Sequence, residues 1–146
     1  MRKLIDVEST DGHILSAWIR APADKCKGGI ILLHAVFGLT THTGDVFDKW
    51  AEAGFRALDP ALFDWLGREI VHPYGRVGAE AALRKYEKLS SQQILADVES
   101  CRRSLLPFGP VAISGFCTGG SWAGTSAARS LSRRKCISMA VIFTSV

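Results

Sequence analysis

The chain has 146 residues, 47% of them hydrophobic and 22% charged, with a net charge of +4; such a composition folds around a core and excludes disordered, collagen-like and disulfide-stapled classes. No apolar run approaches the roughly 18 residues that cross a bilayer. Asp6 and Glu8 fall before any signal or transit peptide could form, so a single cytoplasmic domain over residues 1–146 with no membrane contact is expected.

The first two segments, "LIDVEST" and "HILSAWIRAP", alternate apolar and polar residues across the turn signal Thr10-Asp11-Gly12 and predict a β-hairpin. "GGIILLHAVFGL" then carries a continuous apolar run over 30–33, the pattern of a strand buried on both faces of a parallel sheet. "TGDVFDKWAEAGF" predicts a helix with Val46, Phe47, Trp50 and Ala53 on one face, Thr43 or Asp45 as N-cap and Gly54 as the stop. "FRALDPALF" is the next strand, and residues 65–78, with three glycines and a proline but no period, read as a surface loop. Nearby Arg84 and Tyr86 read as ordinary solvated helix surface.

"SSQQILADVESCRRSLLP" places Ile94, Val98, Cys101 and Leu105 at helical spacing, opened by Ser90 or Ser91 and stopped by Pro107. "GPVAISGF" is a strand, "TGGSWAGTSAARSL" a helix and "CISMAVIF" a last strand. A hairpin followed by alternating strands and helices predicts an α/β fold, a mostly parallel sheet with helices on both faces, because parallel neighbours need crossover connections. Ligands in such sheets bind beyond the carboxyl ends of the strands, where both "HAVFGL" and "GFCTGG" lie.

Cys26, Cys101, Cys117 and Cys136 form no CxxC pair, so free thiols are expected, with no metal site and no cofactor. From residue 100 onward there are six basic residues and no Asp or Glu. No aromatic residue interleaves with "RSLSRRK", which reads as a solvated helix end rather than a nucleic-acid platform.

The stretch "SGFCTGGSW" at 114–122 carries the chemistry. Where a strand turns abruptly into a helix, the residues two before and two after the apex collide unless both are glycine. Gly115 and Gly119 meet that need around Cys117, making the nucleophile elbow GxSxG with sulfur in place of oxygen. The turn also sets Cys117 at a helix N-terminus, whose unpaired N–H groups favour an anion, and the thiolate is the form that attacks carbonyl carbon. The N–H of Thr118 is one expected oxyanion donor and that of Val36, in the loop after the third strand, the second. The alternative is a buried, inert cysteine among packing glycines; the lysine of a phosphate-binding GxxxxGK[ST] loop is absent.

In order, "HAVFGL", "DPALFD", "ILADVES" and "GFCTGG" resemble the marks of the dienelactone hydrolase family, and the likeness runs over nearly the whole chain. The resemblance implies the N-terminal three-fifths of an α/β-hydrolase domain, incomplete after the strand that follows the elbow helix. It implies hydrolysis of a small-molecule ester or lactone through a thioester on Cys117, with Val36 and Thr118 forming the oxyanion hole. The family usually has a glutamate where this chain has Ala35, and its triad acid and histidine follow the nucleophile. Here no histidine or carboxylate follows Cys117, and upstream only His34 lies at a strand's carboxyl end.

Slow turnover after acylation is therefore expected, and so is self-association through the apolar strand "SMAVIF" at the sheet edge. Two other readings stay open: a non-catalytic remnant that keeps the fold, and a redox sensor pairing Cys117 with Cys101 or Cys136.

Overall fold

The computed structural model describes residues 1–132 and 140–143, with side chains as far as Arg129. Strands β1 (Lys3–Glu8) and β2 (Ile14–Arg20) form the antiparallel hairpin, Val7 opposite Leu15, with Gly12 in the turn. β3 (Gly29–Leu33) is buried at all five positions, as its unbroken apolar run requires. β4 (Arg56–Pro60), β5 (Val111–Phe116) and β6 (Ala140–Phe143) complete a six-stranded sheet in the order β1-β2-β4-β3-β5-β6. β4, β3, β5 and β6 run parallel, and β2 joins β4 antiparallel. β6 is the outermost described strand beside β5; the first four residues of the strand expected from Cys136 lie outside the described residues.

Helices α1 (Thr41–Glu52), α2 (Arg76–Tyr86), α3 (Ser91–Leu105) and α4 (Thr118–Ser132) complete the α/β architecture. Ile31, Leu33 and Leu58 pack with Ile94, Val98, Cys101 and Leu105 of α3 and Ala123 of α4 on one face of the sheet. Ile30, Leu32 and Ala57 pack with Phe47 and Ala51 of α1 on the other. The two faces of the central strands thus bury two separate cores, which is why β3 shows no polar alternation.

The predicted helix starts and faces need three corrections. The first helix is capped by Thr40, three residues earlier than Thr43, because the Thr40 hydroxyl accepts the Thr43 N–H at 3.3 Å and also bonds the Tyr74 hydroxyl at 2.8 Å. Its inward face is Gly44, Phe47 and Ala51, with Val46 and Trp50 half-buried at the flank and Ala53 exposed. The segment 65–78 is not loop throughout: Leu62–Trp65 is a 3-10 turn and α2 begins at Arg76. Helix α2 buries only Gly78 and Ala82, so it carries no apolar stripe for a period to reveal. By contrast α3 has the anticipated cap, with Ser90 and Gln93 exchanging side chain to backbone bonds.

Thr40→Ala removes the cap and the anchor of Tyr74 together, and a loss of about 1–2 kcal/mol is expected in urea denaturation. Thr40→Ser should restore most of it; an alanine variant as stable as the parent would show that the cap contributes nothing.

Candidate active site

The chain reverses between β5 and α4 at Cys117, which has φ +51°, a left-handed conformation that costs a residue bearing a Cβ about 1–2 kcal/mol. The Ser121 N–H bonds the Cys117 carbonyl at 3.3 Å, so Cys117 caps α4 and Thr118 is its first helical residue. The thiol is exposed, whereas Cys101 is buried in the core and Cys26 is half-buried. Cys136 lies outside the described residues.

Backbone contact explains the glycines. A Cβ on Gly115 would sit 2.3 Å from the Gly119 carbonyl carbon, and one on Gly119 would sit 2.2 Å from the Leu33 carbonyl oxygen and 2.6 Å from that of His34. The start of α4 is therefore pressed onto the end of β3, and the loop leaving β3 carries Val36, which is buried. Glycines 115 and 119 thus lie against one another and against β3, while Thr118 heads the helix beside them.

The loop after β3 is itself wedged by residues 66–75. The His72 N–H donates to the Phe37 carbonyl at 2.9 Å, and a Cβ on Gly38 would lie 2.4 Å from the Ile70 carbonyl oxygen. That outer loop is tied back at Trp65, whose indole N–H donates to Asp97 at 2.8 Å. Burial raises the Asp97 carboxyl to about 6, against the opposing bond from Trp65.

His34 cannot serve as a base. Its Nε2 accepts the Leu62 N–H at 3.1 Å, which leaves the proton on Nδ1, and Nδ1 donates to the Ala35 carbonyl at 2.6 Å. Burial lowers the ring to about 4, with the Ala35 carbonyl and the Asp64 charge opposing. It is a neutral strut that joins the end of β3 to the 3-10 turn after β4. His42 is exposed on the first turn of α1, its ring centre 6.3 Å from that of Phe116, the residue before Cys117. Among the described residues no three His, Cys, Asp or Glu side chains converge to hold a metal ion.

Two residues beside the elbow escape a reading by pattern. Tyr86, the last residue of α2, is half-buried rather than solvated, and its oxygen accepts the indole N–H of Trp122 on α4. Burial chiefly raises the Tyr86 phenol; the Trp122 bond opposes this and the charge of Cys117 adds to it. Arg84 is exposed, as expected. The signal that could have found the pair is a tryptophan five residues after the elbow cysteine, whose single N–H needs an acceptor when buried.

The sequence profile of the dienelactone hydrolase family matches residues 15–141. The chain belongs to the dienelactone hydrolase family. Within it, the chain is 30% identical over 96 residues to a Synechocystis protein named as a candidate carboxymethylenebutenolidase, a match over 62% of this chain and 39% of that one. It is 27% identical to carboxymethylenebutenolidase 1 of Cupriavidus pinatubonensis over 87% of this chain and 56% of that one. Among solved structures, a dienelactone hydrolase-like promiscuous phosphotriesterase from metagenomic libraries superposes with a TM-score of 0.71 at 19% identity, over 97% of this chain and 59% of that chain. The α/β-hydrolase fold is thus shared. The chain spans 39% and 56% of the lengths of the two curated relatives.

Proposed function

We propose that residues 1–146 form the nucleophile-bearing part of a single α/β-hydrolase-like domain that cleaves small-molecule esters or lactones, with Cys117 as nucleophile. The Cys117 thiolate attacks the carbonyl carbon, a C–S bond forms, and the carbonyl oxygen takes the charge facing the N–H groups of Val36 and Thr118. Collapse expels the alcohol or enolate and leaves a thioester for water to hydrolyse. The observation that carries this reading is an exposed thiol at φ +51° on the residue that caps α4, a strained backbone retained where the side chain must stand clear of the sheet.

General base and acid steps are each typically worth ~10² to 10⁴-fold. With both His34 nitrogens occupied, the 146-residue chain should acylate faster than it turns over. Treatment with p-nitrophenyl acetate is expected to release about one equivalent of nitrophenolate in a burst. Peptide mass spectrometry should find the acetyl group on Cys117, and Cys117→Ala should abolish the burst while Cys26→Ala leaves it intact. Acetylation at Cys26, or a burst that survives Cys117→Ala, would sink the proposal.

A further inference from the structure

We propose that His34 is a positioning residue for the reaction at Cys117: by holding the Ala35 carbonyl it aims the Val36 N–H, the other end of the same peptide unit, at the carbonyl oxygen of the substrate. The inference rests on the reading of Cys117 as nucleophile and of Val36 as an oxyanion donor. Its starting point is that the Ala35 carbonyl and the Val36 N–H are one rigid group. A trans peptide is planar, and its oxygen and N–H point in opposite directions, so whatever fixes the oxygen fixes the donor.

Two donors hold that oxygen. The His34 Nδ1–H reaches it at 2.6 Å, and the Gly38 N–H closes a turn onto it at 3.2 Å, with Val36 and Phe37 at the corners. The ring is set in turn by the main chain after β4: the Leu62 N–H can only donate, so Nε2 is its acceptor at 3.1 Å and the ring proton sits on Nδ1. His34 is buried and stacks on Phe63 with ring centres 5.6 Å apart, so the imidazole is held on its face as well as at both nitrogens.

The donor end of the peptide is unspent. Val36 is buried, yet among the described residues its N–H donates to no acceptor, an uncommon state for a backbone group out of water. The elbow lies close by: a Cβ on Gly119 would sit 2.6 Å from the His34 carbonyl oxygen, so Val36 and Cys117 each stand two residues from one main-chain contact. Two bonds on the Ala35 oxygen also draw electron density from the nitrogen, which makes the N–H a stronger donor as negative charge grows on the substrate oxygen. No proton moves to or from His34; its part is orientation and polarisation.

The test separates the two ring nitrogens. Asparagine places its amide where Nδ1 lies and can donate to the Ala35 carbonyl; glutamine reaches the place of Nε2 and can accept from Leu62, but leaves Ala35 unheld. His34→Gln should slow single-turnover acylation of Cys117 by p-nitrophenyl acetate at least about 10-fold, part of the ~10² to 10³-fold that loss of a whole oxyanion donor costs, and His34→Asn should recover all but about threefold. Alkylation of Cys117 by iodoacetamide forms no oxyanion, so with that reagent both variants should stay within about twofold of the parent. Equal losses in the two variants, equal losses with the two reagents, or no loss in His34→Gln each overturn the proposal. Nitrogen NMR of the parent gives a reading that needs no variant to fold: among the four histidines, His34 should carry its proton on Nδ1, and a proton on Nε2 overturns the proposal. A parent that iodoacetamide alkylates and p-nitrophenyl acetate never acylates removes Cys117 as the nucleophile, and the role of His34 falls with it. A parent acylated as expected, beside an unaffected His34→Gln, removes the role of His34 alone.

Discussion

Gly119→Ala is expected to cost about 3 kcal/mol or more, a large part of the roughly 5–15 kcal/mol that holds a domain of this size together. The added methyl group would meet the carbonyl oxygens of Leu33 and His34 at 2.2 and 2.6 Å. Those atoms belong to the main chain at and just past the end of β3, which pairs with β5 as far as Leu33 opposite Gly115, so neither can step aside as a flexible side chain does. Gly115→Ala should be comparably damaging, since its Cβ meets the backbone of Gly119 at 2.3 Å. Ser121→Ala, exposed on the same helix, is the control and should lie within about 0.5 kcal/mol of the parent. Urea denaturation reads all three; a Gly119→Ala protein with an unchanged midpoint would mean that the helix does not press on the strand as described.

The second large effect has the opposite sign. Asp59→Leu should stabilise the protein at neutral pH by about 1–3 kcal/mol, because Asp59 is fully buried on β4 and neither carboxylate oxygen has a hydrogen-bond partner among the described residues. Burial raises its pKa well above that of an ordinary aspartate. A carboxyl raised in the folded state contributes fully below its unfolded value, near 4, and loses that contribution as pH climbs toward the folded value. The stability gap between variant and parent should therefore be small near pH 4 and widen toward pH 7. Comparing the two proteins at each pH cancels Asp97, which shifts in the same direction, and His34, which shifts so as to lose stability on acidification. A gap that is constant with pH would show that Asp59 is not the group responsible.

What could be read from the sequence was whatever a local pattern records. β3 was legible because both of its faces are buried, and α3 because its apolar stripe, serine cap and proline stop all agree. The elbow was legible for the same reason: Gly115, Cys117 and Gly119 are close in sequence as well as in space, so a steric requirement of the turn is written in adjacent letters. Helix α2 was not, since a helix burying two small residues has no stripe. Thr40 was missed because two threonines three apart compete for the cap, and it is the bond from the distant Tyr74 that marks the winner. His34 showed its location but not its job, which depends on the Leu62 N–H, 28 residues away. Tyr86 and Trp122 are 36 residues apart on different helices, a separation over which no spacing rule operates.

The left-handed backbone at Cys117 has a consequence for how reactivity can change over time in a protein of this build. The two glycines meet one another and the end of β3 through main-chain atoms, and the side chain at the apex is exposed. If Cys117 has the proposed role, exchanging sulfur for oxygen or for a bare methyl group there should leave the scaffold largely intact, so a lineage could trade one reagent for another, or lay it down altogether, in a single substitution. The bend itself has no such freedom: every neighbouring position that shapes it is answerable to packing, and its geometry should outlast any particular chemistry performed on it.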